Sequence, residues 1–238
     1  MKSGAALVIA LPILAGGCSL VDASGDGDGD QVCEAGEAET ATSATYDPTI
    51  IEGGNCTYGS SADVMVAGVS EFDYRGSEGC GGCLEVERPG RGSVLVRVVD
   101  SCLGCAAGEV VLSEDAFAML EPNLDVGVID ITWHWVECPV DEAIGIHFIL
   151  DSNPLWLAVQ VRNHRHRIAS VEARASGADS WLPLERADYN YFIAEEGLGE
   201  GPFDFRITDV YGHVMEESGM SLGMDVVRSG TAQFPTCE

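Results

Sequence analysis

Apolar and polar side chains alternate with a period of two over residues 84–88 and again over 94–100, as half-buried strands require. Pro89-Gly90 between the two runs supplies a turn, so the pair predicts a β-hairpin. Residues 64–69 form a short apolar run that predicts another strand. Residues 127–136 alternate with Ile129, Ile131, Trp133 and Trp135 on one face, leaving His134 on the other as an ordinary surface or hydrogen-bonded histidine with no assigned role. One short helix interrupts this pattern. Ser113 stands where an N-cap belongs, Glu114 and Asp115 place negative charge in the first turn, and Pro122 bounds the far end. Beyond residue 140 the runs at 144–150, 155–162, 168–175, 189–193 and 203–208 are short, alternating and separated by turn residues, the spacing of a β-sandwich. The folded part begins near Thr42 and is long enough for two modest domains. Cys138-Pro139 marks their boundary, because proline cannot donate to a sheet ladder. The resulting division is 42–138 and 139–238.

The run at 155–162 carries a chemical signal. Leu155, Leu157, Val159 and Val161 make an apolar row, and Trp156, Ala158, Gln160 and Arg162 make the opposite one. A tryptophan on the outward row needs a partner. Sugar rings stack on such side chains through their apolar C–H faces, so Trp156 is a candidate carbohydrate platform; cover by a loop or by the other domain is the alternative.

The chain holds nine cysteines, and their chemistry depends on compartment. Cys80, Cys83, Cys102 and Cys105 have the C-x2-C…C-x2-C spacing of a structural zinc site. The N-terminus argues against zinc. Lys2 precedes an apolar run at 5–15 too short to span a bilayer, and Leu14-Ala15-Gly16-Gly17-Cys18 resembles a bacterial lipobox in which Cys18 is lipidated. Residues 1–18 therefore read as a signal peptide, with plain secretion as the alternative to an anchored surface or outer-membrane lipoprotein. Either route leads to an oxidising compartment, where Cys33, Cys56, Cys80, Cys83, Cys102, Cys105, Cys138 and Cys237 form an even-numbered disulfide set of unassigned pairing. Residues 19–41 are Gly- and Asp-rich and predict an acidic flexible tether. Within it Asp26, Asp28, Asp30 and Glu37 imitate a calcium loop, but Gln31 occupies the position of the required glycine, so a solvated linker is the reading taken. No metal and no cofactor is expected.

As a set, CGGCLEV, the strand ending in Asp100-Ser101-Cys102-Leu103-Gly104-Cys105, and Leu112-Ser113 followed by Ala116-Phe117 resemble the first domain of bacterial expansin-like proteins. LWLAVQVRNH, WLPLERADYNYF and FRITDVYG are similar to the cellulose-binding second domain of that family. The resemblance implies an all-β chain, a six-stranded double-psi β-barrel followed by an immunoglobulin-like β-sandwich. It implies a non-hydrolytic protein that binds wall polysaccharide and loosens it. Trp156 and Tyr189 match two of the family's three stacking aromatics, and Leu155 replaces the third. In the barrel, Thr45 and Tyr46 match the groove motif, Asp47 follows it, and Asp100 is the carboxylate at the strand end. The family's central aspartate is Val111, a side chain that neither exchanges a proton nor accepts a hydrogen bond. Glu109 lies two residues earlier as a possible partial substitute, about 7 Å along an extended strand.

Charge narrows the partners. Twelve Lys and Arg against 39 Asp and Glu give a net charge of −27, which repels nucleic acid and acidic polysaccharides. Neutral glucans such as cellulose or xylan fit better. Three readings remain open: a wall-loosening expansin-like protein, a lipid-anchored polysaccharide-binding protein with an inactive barrel, and a peptidoglycan-lytic barrel lipoprotein like rare lipoprotein A. A monomer is expected, touching membrane only through its N-terminal lipid.

Overall fold

The computed structural model describes Cys33, residues 43–60, Asp63 and residues 65–237. Cys18 and the acidic series Asp26, Asp28, Asp30 and Glu37 lie outside them. Six strands form the first sheet: β1 (Ala44–Tyr46), β2 (Val66–Ser70), β3 (Cys83–Arg88), β4 (Gly92–Cys102), β5 (Val110–Leu112) and β6 (Thr132–Val136). Their order is β1-β5-β2-β4-β3-β6, with parallel pairing in β1/β5 and β2/β4. An antiparallel bridge between Ala44 and Ile129 joins β1 to the segment entering β6 and closes the sheet into a barrel. Its interior is filled by Leu84, Val86, Val96, Val98, Leu112, Phe117 and Trp133, the residues that the alternating runs point inward. The hairpin β3/β4 turns at Pro89-Gly90, where Gly90 adopts φ +76°. The helix α1 (Glu114–Leu120) begins as the sequence predicts, with the Ser113 hydroxyl accepting the Ala116 amide.

The second half is a sandwich. One sheet has the order β10-β9-β13-β14, from β9 (Ile168–Ala175), β10 (Leu182–Pro183), β13 (Phe203–Asp209) and β14 (Val214–Met220). The other has the order β11-β12-β8-β7-β15, from β7 (Gly145–Phe148), β8 (Leu157–Arg162), β11 (Glu185–Arg186), β12 (Phe192–Ala194) and β15 (Val226–Ser229). Phe148, Phe192, Phe203, Phe205, Leu157 and Val159 fill the space between them. The all-β fold class is thus as the resemblance implies.

Several strand limits differ from the periodicity; β6 begins only at Thr132 and β7 spans Gly145–Phe148, and two other differences bear on the site. The run expected at 155–162 starts at Leu157, because Asn153–Trp156 forms a turn whose ends exchange backbone hydrogen bonds of 2.8 and 3.2 Å. Leu155 therefore does not belong to the inward row; it lies in the turn, 79 % exposed. The run expected at 189–193 starts at Phe192, and Tyr189 sits in a turn closed by the Asn190 amide on the Ala187 carbonyl at 3.0 Å.

The eight remaining cysteines form four disulfides: Cys33–Cys237, Cys56–Cys80, Cys83–Cys138 and Cys102–Cys105. The two C-x2-C pairs are thereby divided among three bonds, and the zinc reading of that spacing fails. Cys33 corrects the picture of a free tether at its one described residue, because it is 7 % exposed and bonded across 204 residues to Cys237.

Candidate functional site

Barrel register brings one row of the predicted residues together. Thr45 on β1 lies opposite Val111 on β5, Val111 opposite Gly68 on β2, and Gly68 opposite Asp100 on β4. Directly paired residues share a face, so Thr45, Val111 and Asp100 line one outward strip with Gly68 as its floor. All three side chains are partly exposed, whereas their strand neighbours Ala44, Val110, Leu112 and Val99 are buried. Asp100 is held rather than free. Its Oδ1 accepts the backbone amides of Asn55 at 2.7 Å and Ser101 at 2.8 Å. Gly54 makes that approach possible, because a Cβ there would stand 2.5 Å from the Asp100 Cβ.

The other barrel candidates do not join the strip. Tyr46 alternates to the inner face, where its ring centroid lies 5.0 Å from that of Phe117. Asp47 is engaged in a local turn, its Oδ1 accepting the Thr49 amide at 2.8 Å and the Thr49 hydroxyl at 2.7 Å. Glu109 is likewise committed, with Oε1 accepting the Ser43 hydroxyl at 3.0 Å and Oε2 the Ala106 amide at 2.8 Å. The strip therefore carries a single carboxylate, Asp100.

On the sandwich, alternation from inward Leu157 turns Trp156, Ala158, Gln160 and Arg162 outward. That outward face is not uniformly open. Gln160 is fully buried, because its Nε2 donates to the Cys56 carbonyl at 2.8 Å and to the Thr57 hydroxyl at 3.3 Å, so the barrel covers this part of the sheet. Trp156 lies four residues from Gln160, about 13 Å along the strand, and remains partly exposed. Ile193 on β12 continues the face, since it pairs with Ala158, and Tyr191 stands just before that strand. The Tyr189 ring leans toward Tyr191 with centroids 5.8 Å apart and is 40 % exposed.

Sequence reasoning missed what fixes Tyr189. Three consecutive carbonyls of its turn accept barrel hydroxyls: Ala187 from Ser77 at 2.8 Å, Asp188 from Tyr74 at 2.6 Å, and Tyr189 from Thr57 at 2.7 Å. Burial, followed by the charges of Asp100 and Asp188, pushes the Tyr74 phenol well up, so it stays a donor. A cleft of about 330 Å³ opens beside this contact, lined by Asn55, Tyr74, Ser101 and Leu103 of the barrel and by Asp188 and Tyr189 of the sandwich. The Asn55 amide meets the Ser101 hydroxyl next to Asp100, so the cleft runs from the Asp100 end of the strip toward Tyr189. These hydroxyl residues lie far from residue 189 in sequence and follow no periodic pattern, which left no signal to find them. Tyr74→Phe is expected to lower stability by about 1 kcal/mol, read as a drop in Tm, because the Asp188 carbonyl loses its donor.

No family model matches the chain. Expansin-YoaJ of Bacillus subtilis is 32 % identical over 185 residues, covering 74 % of this chain and 77 % of that protein. The chain belongs to the expansin family. Expansin-like protein 1 of Dictyostelium discoideum is 28 % identical over 187 residues, covering 73 % of this chain and 64 % of its own length. The crystal structure of the apo expansin of Clavibacter michiganensis superposes with a TM-score of 0.76 at 32 % identity, covering 83 % of this chain and 98 % of that one. A point mutant of that expansin was crystallised in complex with cellohexaose, with the same TM-score of 0.76. Double-psi barrel followed by sandwich is thus the expansin architecture in this chain, and the strip and the stacking face are its two candidate surfaces.

Proposed function

We propose that this expansin binds a neutral wall glucan of the cellulose class along a surface running from the Thr45–Asp100 strip through the cleft to Tyr189 and Trp156, and loosens it without hydrolysis. The observation that carries this reading is the fixed Tyr189 turn: three barrel hydroxyls hold it, so the stacking ring stands at the edge of the cleft. Related chemistry supports the ligand class, because a homologous expansin takes up cellohexaose. Hydrolysis needs two carboxyl groups flanking the scissile bond. Asp100 has no such partner on the strip, with Asp47 and Glu109 bound into local structure and Val111 apolar. An oxidising extracellular setting is part of the proposal and is supported by the four disulfides; a lipid anchor at Cys18 would hold the protein at a cell surface.

The same valine favours a second reading, a polysaccharide-binding protein whose barrel no longer loosens. One set of measurements separates the two: pull-down on cellulose, xylan and peptidoglycan, release of reducing ends, and creep of a clamped wall strip. Binding with creep and no released sugar is the expected result. Binding without creep favours the second reading, and soluble fragments overturn both. Val111→Asp is expected to raise creep above wild type without releasing sugar, since position 111 is partly exposed and lies between Thr45 and Gly68.

A further inference from the structure

Away from the glucan surface, one buried cluster has chemistry that carbohydrate binding does not use. The bonded pair Cys33 and Cys237 faces His166, whose Nε2 lies 3.3 Å from the Cys237 Sγ, 3.9 Å from the Cys33 Sγ and 3.9 Å from Glu137 Oε2. Behind the ring, His166 Nδ1 stands 2.7 Å from Asp209 Oδ2, which also receives His213 Nδ1 at 2.7 Å. The backbone amides of Tyr211 and His213 reach Asp209 Oδ1 at 2.9 and 2.8 Å. Glu137 Oε2 in turn accepts the Cys237 amide at 2.9 Å. The side chains of His166 and Asp209 are fully buried.

These contacts fix the tautomer. Four hydrogen bonds converge on the Asp209 carboxylate, two from the Tyr211 and His213 backbone amides and two from the His166 and His213 Nδ1 atoms. An ionised carboxylate only accepts, so both Nδ1 atoms donate. With Nδ1 committed to Asp209, Nε2 is the ring atom left facing the two sulfurs. A disulfide has no hydrogen to offer it. His166 Nε2 and the two sulfurs thus lie within 4.8 Å of one another.

The geometry points to a latent zinc site, formed by Cys33, Cys237 and His166 when a dithiol or phosphine reductant opens the Cys33–Cys237 bond, with Glu137, 3.9 Å from His166 Nε2, moving in as the fourth ligand. The reductant supplies two electrons to the sulfurs and is itself oxidised; the two thiols formed lose their protons to solvent as zinc binds the thiolates. Tetrahedral zinc with bonds of about 2.3 Å to sulfur and about 2.05 Å to nitrogen separates N and S by roughly 3.6 Å and the two sulfurs by roughly 3.75 Å. The 3.3 and 3.9 Å approaches of His166 Nε2 already straddle the first value, so the changes required are that the sulfurs part and that the Glu137 carboxylate moves inward. Asp209 supplies the carboxylate behind a ligating histidine that fixes its ring and raises its basicity. Oxidised, the pair is a covalent clasp between distant segments of the chain; reduced, zinc holds the same two segments.

The test uses the full chain, reduced with a phosphine under anaerobic conditions and then alkylated with and without added zinc, with each cysteine followed by peptide mass spectrometry. Zinc is expected to slow alkylation of Cys33 and Cys237 by at least roughly tenfold. His166→Ala should remove that protection, and Asp209→Asn should weaken zinc binding by roughly 10- to 100-fold. Cobalt(II) should give thiolate charge-transfer and tetrahedral d–d bands that Cys33→Ser/Cys237→Ser lacks. Should His166→Ala prove unfolded by circular dichroism, Glu137→Gln replaces it and is expected to lower the protection. Equal alkylation of Cys33 and Cys237 with and without zinc in the wild-type chain overturns the proposal, as does protection that persists in both ligand variants.

Discussion

Lowering the pH from about 6.5 to about 3 is expected to destabilise the fold by up to about 5 kcal/mol through His164 alone. Burial, then the charge of Arg97, pushes this imidazole down to about 3 from an ordinary value of 6.5. The ring is 1 % exposed; Nδ1 donates to the His166 carbonyl at 2.7 Å, and Nε2 lies 3.3 Å from the Tyr58 hydroxyl. Arg186 adds to the cationic surroundings. Above pH 6.5 the histidine is neutral in folded and unfolded chains, and its contribution is constant. Below that value the unfolded chain binds a proton that the folded chain refuses until about pH 3, so stability falls across this window and levels off beneath it. Denaturant titrations at half-unit pH steps measure the slope. His164→Gln removes the titrating group, so its stability should vary less with pH between 6.5 and 3 than that of the wild type; parallel curves would sink the assignment.

Removing both stacking rings is expected to weaken binding to crystalline cellulose by about 30-fold. A ring stacked on a sugar face contributes on the order of 1 kcal/mol, so Trp156→Ala and Tyr189→Ala should each cost about fivefold and together about 2 kcal/mol. Both rings lie at the sheet surface rather than in the core, so the unfolding midpoint should move little. Leu155→Trp is the converse. That side chain is 79 % exposed beside Trp156, and an indole there should raise affinity about fivefold. Depletion isotherms on cellulose measure all four proteins. Unchanged binding of the double variant would remove the stacking face from the mechanism.

Much of the fold was legible because short-range rules generate it. Alternation located β3, β4, β9 and β13 to within two or three residues, and the Ser113 cap set the start of α1. Local rules fail where long-range contact decides the environment. Gln160 occupies a polar position on an outward row, yet it is fully buried because the Cys56 carbonyl from another domain lies over it. Leu155 continues the inward row on paper, but the turn at Asn153–Trp156 breaks the strand before reaching it. In the site, residue types were readable and their engagements were not. Asp47 and Glu109 have the chemistry of acids and bases, but nearby amides and hydroxyls had already claimed their oxygens. Asp100 stands across Gly68 from Val111 because register, a long-range property, set it there, and β4 runs two residues beyond it rather than ending at it. Disulfide number followed from compartment, whereas Cys33 and Cys237 could be matched only after the chain had brought its extremities together.

The hydroxyl contacts on Ala187, Asp188 and Tyr189 tie that junction at three consecutive carbonyls. A polymer lying across it meets a fixed straightedge. Whatever bending such an encounter demands must come from the polymer, so stiff, straight chains already fit while coiled or branched ones must first be unbent. Shape would thereby sort partners before any single hydrogen bond does.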